Sequence, residues 1–114
     1  MPVVTLDSYV ERERIDRVDL MKIDVEGAEM LVFKGASRLL ASDASPIVFF
    51  ELNDALCSAC QVTARDVKQL LIDHGYGVYR WRSRRFEAVA PAERHQGEDL
   101  FALKPRHLAA VGQS

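Results

Sequence analysis

The chain has 114 residues, 48% of them hydrophobic, which suits one globular domain with a modest core and leaves no room for two. A formal charge of −2 and a sequence pI of about 5.9 exclude a nucleic-acid binder that works by bulk positive charge. No apolar run reaches the roughly 20 residues a membrane span needs.

Met1-Pro2-Val3-Val4-Thr5-Leu6-Asp7 has no basic stretch leading into an apolar core, so it does not read as a signal peptide. The two cysteines, Cys57 and Cys60, are too few to staple a secreted domain. A cytoplasmic location is expected.

Short apolar runs alternate with helical patterns, which predicts an α/β domain with a largely parallel sheet. Thr5 is placed to cap a short helix, with Asp7 near its positive end and Leu6, Tyr9 and Val10 on one face. Asp19–Asp24 reads as a strand. A helix is expected from Gly27 to Leu40, with Ala28, Leu31, Val32, Gly35, Ala36, Leu39 and Leu40 forming its apolar stripe.

Pro46–Leu52 is the strongest strand. Its four consecutive apolar residues predict burial on both faces. Thr63 and Asp66 have capping-box spacing, and Val67, Leu70 and Leu71 form the apolar face of the helix that follows. That helix is expected to stop at His74-Gly75. Tyr76–Arg82 alternates as a strand, Ala88–Gly97 reads as a loop, and Asp99–Lys104 as a last strand ended by Pro105. The tail after His107 is weakly patterned. The first two strands, with a helix between them, must run parallel through a right-handed crossover.

Ligands bind beyond the carboxyl ends of strands in open parallel sheets. Asp24, Glu26 and Glu51 fall at or just past such ends, and Gly27 lets the backbone turn tightly there. Such carboxylates can deprotonate a hydroxyl, hold a divalent metal, or merely cap a helix.

The string Lys22-Ile23-Asp24-Val25-Glu26-Gly27-Ala28-Glu29, continuing to Phe33-Lys34-Gly35-Ala36, resembles the signature of the FkbM methyltransferase family. Thr5-Leu6-Asp7, the apolar strand ending at Glu51 and the Gly75-Tyr76 pair fit in order and spacing, so the resemblance runs from Thr5 to Pro105. It implies a Rossmann-like class I methyltransferase sheet. On that mapping the strands ending at Asp24 and Glu51 are the fourth and fifth, and the last two pair antiparallel. It implies S-adenosylmethionine as cofactor and methyl transfer to an oxygen of a small-molecule acceptor, a sugar or a secondary metabolite. Asp24, Glu26 and Glu51 are then the candidate catalytic residues on the acceptor side.

Two of that fold's features are missing from the sequence: a Gly-rich turn after a first strand, and an acidic residue ending a second. Gly75 and Gly77 follow a helix and precede a strand, which is the reverse of the required context. The chain is therefore expected to be the C-terminal half of such a domain over residues 1–105, with a tail at 106–114, holding only the later strands of a partial sheet. No cofactor-binding residue is assigned, and weak cofactor binding or none is expected. The alternatives are a non-catalytic interaction or remnant domain and a metal-dependent hydrolase using the same carboxylates. The strand edge at Leu20–Ile23 is expected to lie unpaired and to drive homodimerisation.

Cys57 and Cys60 have the spacing of half a zinc site, but His74, His95 and His107 are scattered, so ordinary thiols are expected and no metal. The histidines are read as surface or capping residues. Arg80, Arg82, Arg84 and Arg85 around Trp81 and Phe86 read as a solvated face, with no nucleic-acid or membrane partner.

Overall fold

The computed structural model describes residues 4–113; Met1-Pro2-Val3 of the segment weighed above as a leader lie outside them. The elements are α1 (Leu6–Arg12), β1 (Leu20–Ile23), α2 (Glu29–Lys34), α3 (Ser37–Ala41), β2 (Ile47–Asn53), α4 (Asp54–Ala59), α5 (Ala64–Asp73), β3 (Gly77–Arg82), β4 (Arg85–Ala88), β5 (Gln96–Leu103) and α6 (Pro105–Ala110). The domain is mixed α/β around one five-stranded sheet of order β1-β2-β5-β3-β4. Among the described residues no helix is long and apolar enough to cross a membrane.

β1 and β2 run parallel, with Met21 opposite Val48, and β3 and β5 pair antiparallel; both pairings match expectation. The sheet is not largely parallel, however. β5 returns antiparallel between β2 and β3, and a hairpin adds β4. That hairpin turns through Ser83 and Arg84, both with positive φ. Neither residue is glycine, so the turn gave no sequence signal.

Burial on both faces of β2 also fails. Val48, Phe50 and Leu52 are fully buried, while Ile47 and Phe49 are only partly covered and Glu51 is exposed. The buried set packs on Phe33, Leu40, Val67 and Leu71 from the helices. The opposite face carries an aromatic row: ring centroids lie 4.8 Å apart for Phe49–Phe101, 5.2 Å for Phe101–Phe86 and 4.8 Å for Phe86–Trp81.

The single helix expected from Gly27 to Leu40 is broken at Gly35-Ala36. The segment at Thr5–Asp7 causes the break. A Cβ on Gly35 would stand 3.2 Å from the Thr5 Cβ, and Asp7 N–H donates to the Gly35 carbonyl at 2.8 Å. Thr5 caps α1 as expected, accepting from Ser8 N–H at 3.1 Å. Asp7 does more than meet its own helix dipole. Its carboxylate accepts from the N–H groups of Arg38 and Leu39 at 2.9 and 3.0 Å and so caps α3. The buried stripe is rotated too: Glu29, Met30 and Phe33 face inward on α2, and Leu31 is 73% exposed.

α4 was not anticipated. Asn53 caps it, accepting from Ala55 and Leu56 N–H at 2.9 and 3.3 Å. The Thr63–Asp66 capping box forms as expected, and α5 ends where Gly75, at φ +91°, lets Tyr76 N–H reach back to the Leu71 carbonyl at 3.0 Å. Residues after Pro105 are helical rather than unpatterned, since proline starts α6 and Leu108 is buried beneath it.

Candidate functional site

The acidic turn after β1 is built by backbone geometry. Glu26 has φ +46° and Gly27 φ +98°. A Cβ on Gly27 would fall 2.7 Å from the Leu56 carbonyl carbon, and nearer still to its oxygen, so only glycine fits between the turn and α4. Gly27 N–H donates to the Glu29 carboxylate at 2.9 Å, closing the turn.

The structure places the three expected carboxylates differently. Asp24 directly follows β1 and is exposed. With Lys22 it borders a crevice of about 940 Å³, walled by Leu6 and Tyr9 of α1, Leu31 of α2, and Gly35. The two segments that carry the family resemblance thus meet in one crevice. Glu51 lies two residues before the end of β2, which runs on to Asn53, directly opposite Asp99 of β5. Glu26 points into solvent at the tip of the turn and does not line the crevice. Among the described residues, no three His, Cys, Asp or Glu side chains gather in a group that could hold a metal.

Glu29 is the carboxylate that joins the others, and the sequence reading passed it over. It is 2% exposed. Burial is the main cause that raises its pKa above the ordinary 4.5; the Gly27 N–H opposes the rise, and the charges of Glu51 and Asp24 add to it. Its signal was its spacing from Phe33, four residues on and fully buried, which puts both on the inward face of α2. The buried Cys57 thiol is pushed up by burial first and then by the charges of Glu29 and Asp54.

A second polar group lies beyond the carboxyl end of β2. Lys68 is fully buried on α5. Its ammonium donates to the carbonyls of Ala90 and Glu93 at 2.9 and 2.7 Å and to His95 Nε2 at 2.9 Å. His95 therefore carries its proton on Nδ1, which donates to Glu98 at 2.8 Å. Arg80 binds the same Glu98 at 2.7 Å and also pairs with Glu93. The Glu98 carboxyl is held at about 2, chiefly by the Arg80 hydrogen bond. Burial lowers the Lys68 pKa.

This network corrects two expectations. Arg80 does not belong to the solvated face; Arg82, Arg84 and Arg85 do. His95 and His107 are buried rather than on the surface, while two histidines do cap helix ends: His107 accepts from Lys104 N–H at the start of α6, and His74 meets the Leu70 carbonyl at the end of α5. The signal for Lys68 was present: Ala64, Val67, Lys68 and Leu71 stand at i, i+3, i+4 and i+7, so the buried face of α5 contains the lysine.

A parallel β-strand pair joined through helices, within one five-stranded sheet, defines an α/β domain. The Methyltransferase FkbM domain family matches residues 1–78. The chain belongs to the FkbM methyltransferase family. The match takes in everything from α1 to the start of β3, including the acidic turn, and leaves β4, β5 and most of the Lys68 network's partners outside it. No curated protein and no solved structure matches the chain.

Proposed function

We propose that this chain carries the acceptor side of an S-adenosylmethionine-dependent O-methyltransferase site, on the later strands of a Rossmann-like class I sheet. The observation that carries this reading is the position of the acidic turn. It lies inside the family-matched segment and opens on a crevice at the carboxyl end of β1, bordered by Asp24, and the charges of Asp24 and Glu51 both reach the buried Glu29. Asp24 or Glu51 accepts the proton of an acceptor hydroxyl. Glu26 stands at the turn's tip as the third candidate. The strand sequence supports the assignment: a parallel pair, then β3 and β5 paired antiparallel as the last two strands of that fold would be, with β4 added as a hairpin between them in sequence.

The described residues do not themselves fit the cofactor. The glycine that follows a strand and leads toward a helix, Gly27, has its space filled by Leu56, as Gly35 does by Thr5 and Gly77 by the Tyr79 ring, and the less crowded Gly75, Gly97 and Gly112 stand in no strand-to-helix turn. No described strand leads through a glycine-rich turn into a helix. The same observation favours a second reading, in which this polypeptide alone is a non-catalytic α/β domain of a methyltransferase family. Calorimetric titration of the folded chain with S-adenosylmethionine and S-adenosylhomocysteine separates the two. Saturable micromolar binding supports an autonomous site, and acceptor screening follows from it. No binding by a chain with a cooperative unfolding transition assigns the isolated polypeptide to the second reading.

A further inference from the structure

A polar cleft of about 620 Å³ opens at the carboxyl end of β2, between the start of α4 and the segment leading into β5. Its walls are Asn53, Asp54, Ser58, Arg94, His95 and Gln96. Two features make it a constructed surface rather than a gap between loops. Asp54 and His95 are tied in both directions: Asp54 N–H donates to the His95 carbonyl at 2.9 Å, and the Asp54 carboxylate accepts from His95 N–H. Behind that wall, the buried Lys68 fixes the segment by its carbonyls at Ala90 and Glu93 and by the His95 ring. A buried charge with three acceptors costs much desolvation, so it specifies one position for this segment.

What the segment presents is Arg94. Glu93 and Glu98 beside it are paired with Arg80, and one oxygen of the Asp54 carboxylate in the cleft wall accepts from the His95 N–H. Among the described residues Arg94 is exposed and has no carboxylate within ion-pair distance. Gly97 follows Gln96 of the cleft wall and has φ +93°. The position a Cβ would take there lies 3.6 Å from both Asn53 Nδ2 and Glu51 Oε1, so the Glu51 carboxylate lies close to Asn53 of the cleft wall. A guanidinium at one end and a candidate base at the other select a molecule with an anionic oxygen group and a hydroxyl.

We infer that this cleft binds the acceptor through a carboxylate or phosphate group held by Arg94, with Ser58 and Asn53 as neutral hydrogen-bonding partners and a hydroxyl directed toward Glu51. The assignment of the ligand as acceptor rests on the methyltransferase reading; the anion site does not. The test is an amide-resolved NMR titration of the full chain, without S-adenosylmethionine, using inorganic phosphate in one series and glucuronate in another. Saturable shifts at Ser58, Arg94, His95 and Gln96 are expected in at least one series, and the ligand that saturates at lower concentration identifies the group as phosphate or carboxylate. Arg94→Ala is expected to weaken that binding about tenfold or more, while Arg84→Ala, which removes the same charge from the β3–β4 turn, leaves it unchanged. Shifts that never saturate in either series, or equal weakening by the two variants, overturn the inference. A positive titration beside negative cofactor calorimetry shows the anion site standing without the methyltransferase reading, so the two failures are distinguishable.

Discussion

The two edges of the sheet have been treated differently by the sequence. At the β4 edge, Val89 N–H pairs with the Val78 carbonyl, so the ladder's alternation turns the Phe86 N–H and C=O outward. Gln113 meets both: its side-chain oxygen accepts from Phe86 N–H at 3.0 Å, and its amide donates to the Phe86 carbonyl at 2.6 Å. One side chain thus imitates a neighbouring strand. At the β1 edge, Ile47 N–H pairs with the Asp19 carbonyl, so Leu20 and Lys22 turn their backbone groups outward. Among the described residues no strand or side chain meets them. Val4, Tyr9, Leu20, Val25 and Leu31 are all exposed around that end, whereas the other exposed large apolar residues among those described are Ile15, Trp81 and Val111. One edge is closed with polar groups, and the other is left as an apolar, unpaired surface.

The interiors behind the two edges differ in the same sense, and the largest expected effect tests this. The β3–β5 end is held by Lys68 and its three acceptors. Lys68→Met keeps much of the stem's packing and leaves two carbonyls and the His95 ring without a donor. The expected loss is about 3 kcal/mol of stability by denaturant unfolding, the sum of several buried groups left unsatisfied. A loss below about 1 kcal/mol would show that water replaces the ammonium and that the end is less tightly closed than its hydrogen bonds imply.

Behind the β1 edge the buried ionisable group is Glu29, and its sign is opposite. Its folded pKa is raised, so the folded state binds its proton more tightly than the unfolded chain does. The contribution favours folding below the ordinary 4.5 and is lost as pH rises through the raised value. Glu29→Gln retains a carbonyl oxygen for Gly27 N–H and removes the charge facing Asp24 and Glu51. The variant is expected to be as stable as the parent or more so at pH 7, with that advantage shrinking toward pH 4. Unfolding measured across this range checks it. A variant that is less stable at pH 7 and gains on acidification would mean that the carboxylate is needed in its charged form to hold the turn.

These two buried groups also mark where the sequence was legible. Short apolar runs revealed β1 and β2, helical spacing revealed α5 and alternation revealed β3, while the antiparallel pairing of β3 with β5 was implied by the family resemblance. The acidic turn was visible as a continuous string. The features that escaped depend on contacts distant in sequence. α2 and α3 divide because Thr5 and Asp7 dock at Gly35 and Arg38, some thirty residues away. α4 has only six residues and no period long enough to detect. Lys68 and Glu29 look like surface charges by residue type, and only their helical phase places them inside. Glu51 was expected at the very end of its strand, and β2 runs on to Asn53 because β5 pairs with it that far.

The smallest effect on stability, and the sharpest on behaviour, is expected at the open edge. Leu20 is 60% exposed, so Leu20→Lys removes little buried area and changes stability by no more than about 0.5 kcal/mol. It places a second charge beside Lys22 on the edge strand, where charge opposes strand addition. The parent chain is expected to self-associate with rising concentration in sedimentation velocity, and Leu20→Lys to sediment as a monomer at the same concentrations. Gln113→Ala in the Leu20→Lys background then reopens the opposite edge by freeing the Phe86 backbone groups. Renewed association in the double variant would show that backbone groups alone suffice. A double variant that stays monomeric would show that the apolar side chains around β1, absent at β4, supply the adhesion. A parent chain that remains monomeric at high concentration would mean that four residues of unpaired edge are too short a template, and that the exposed apolar residues there await a different surface.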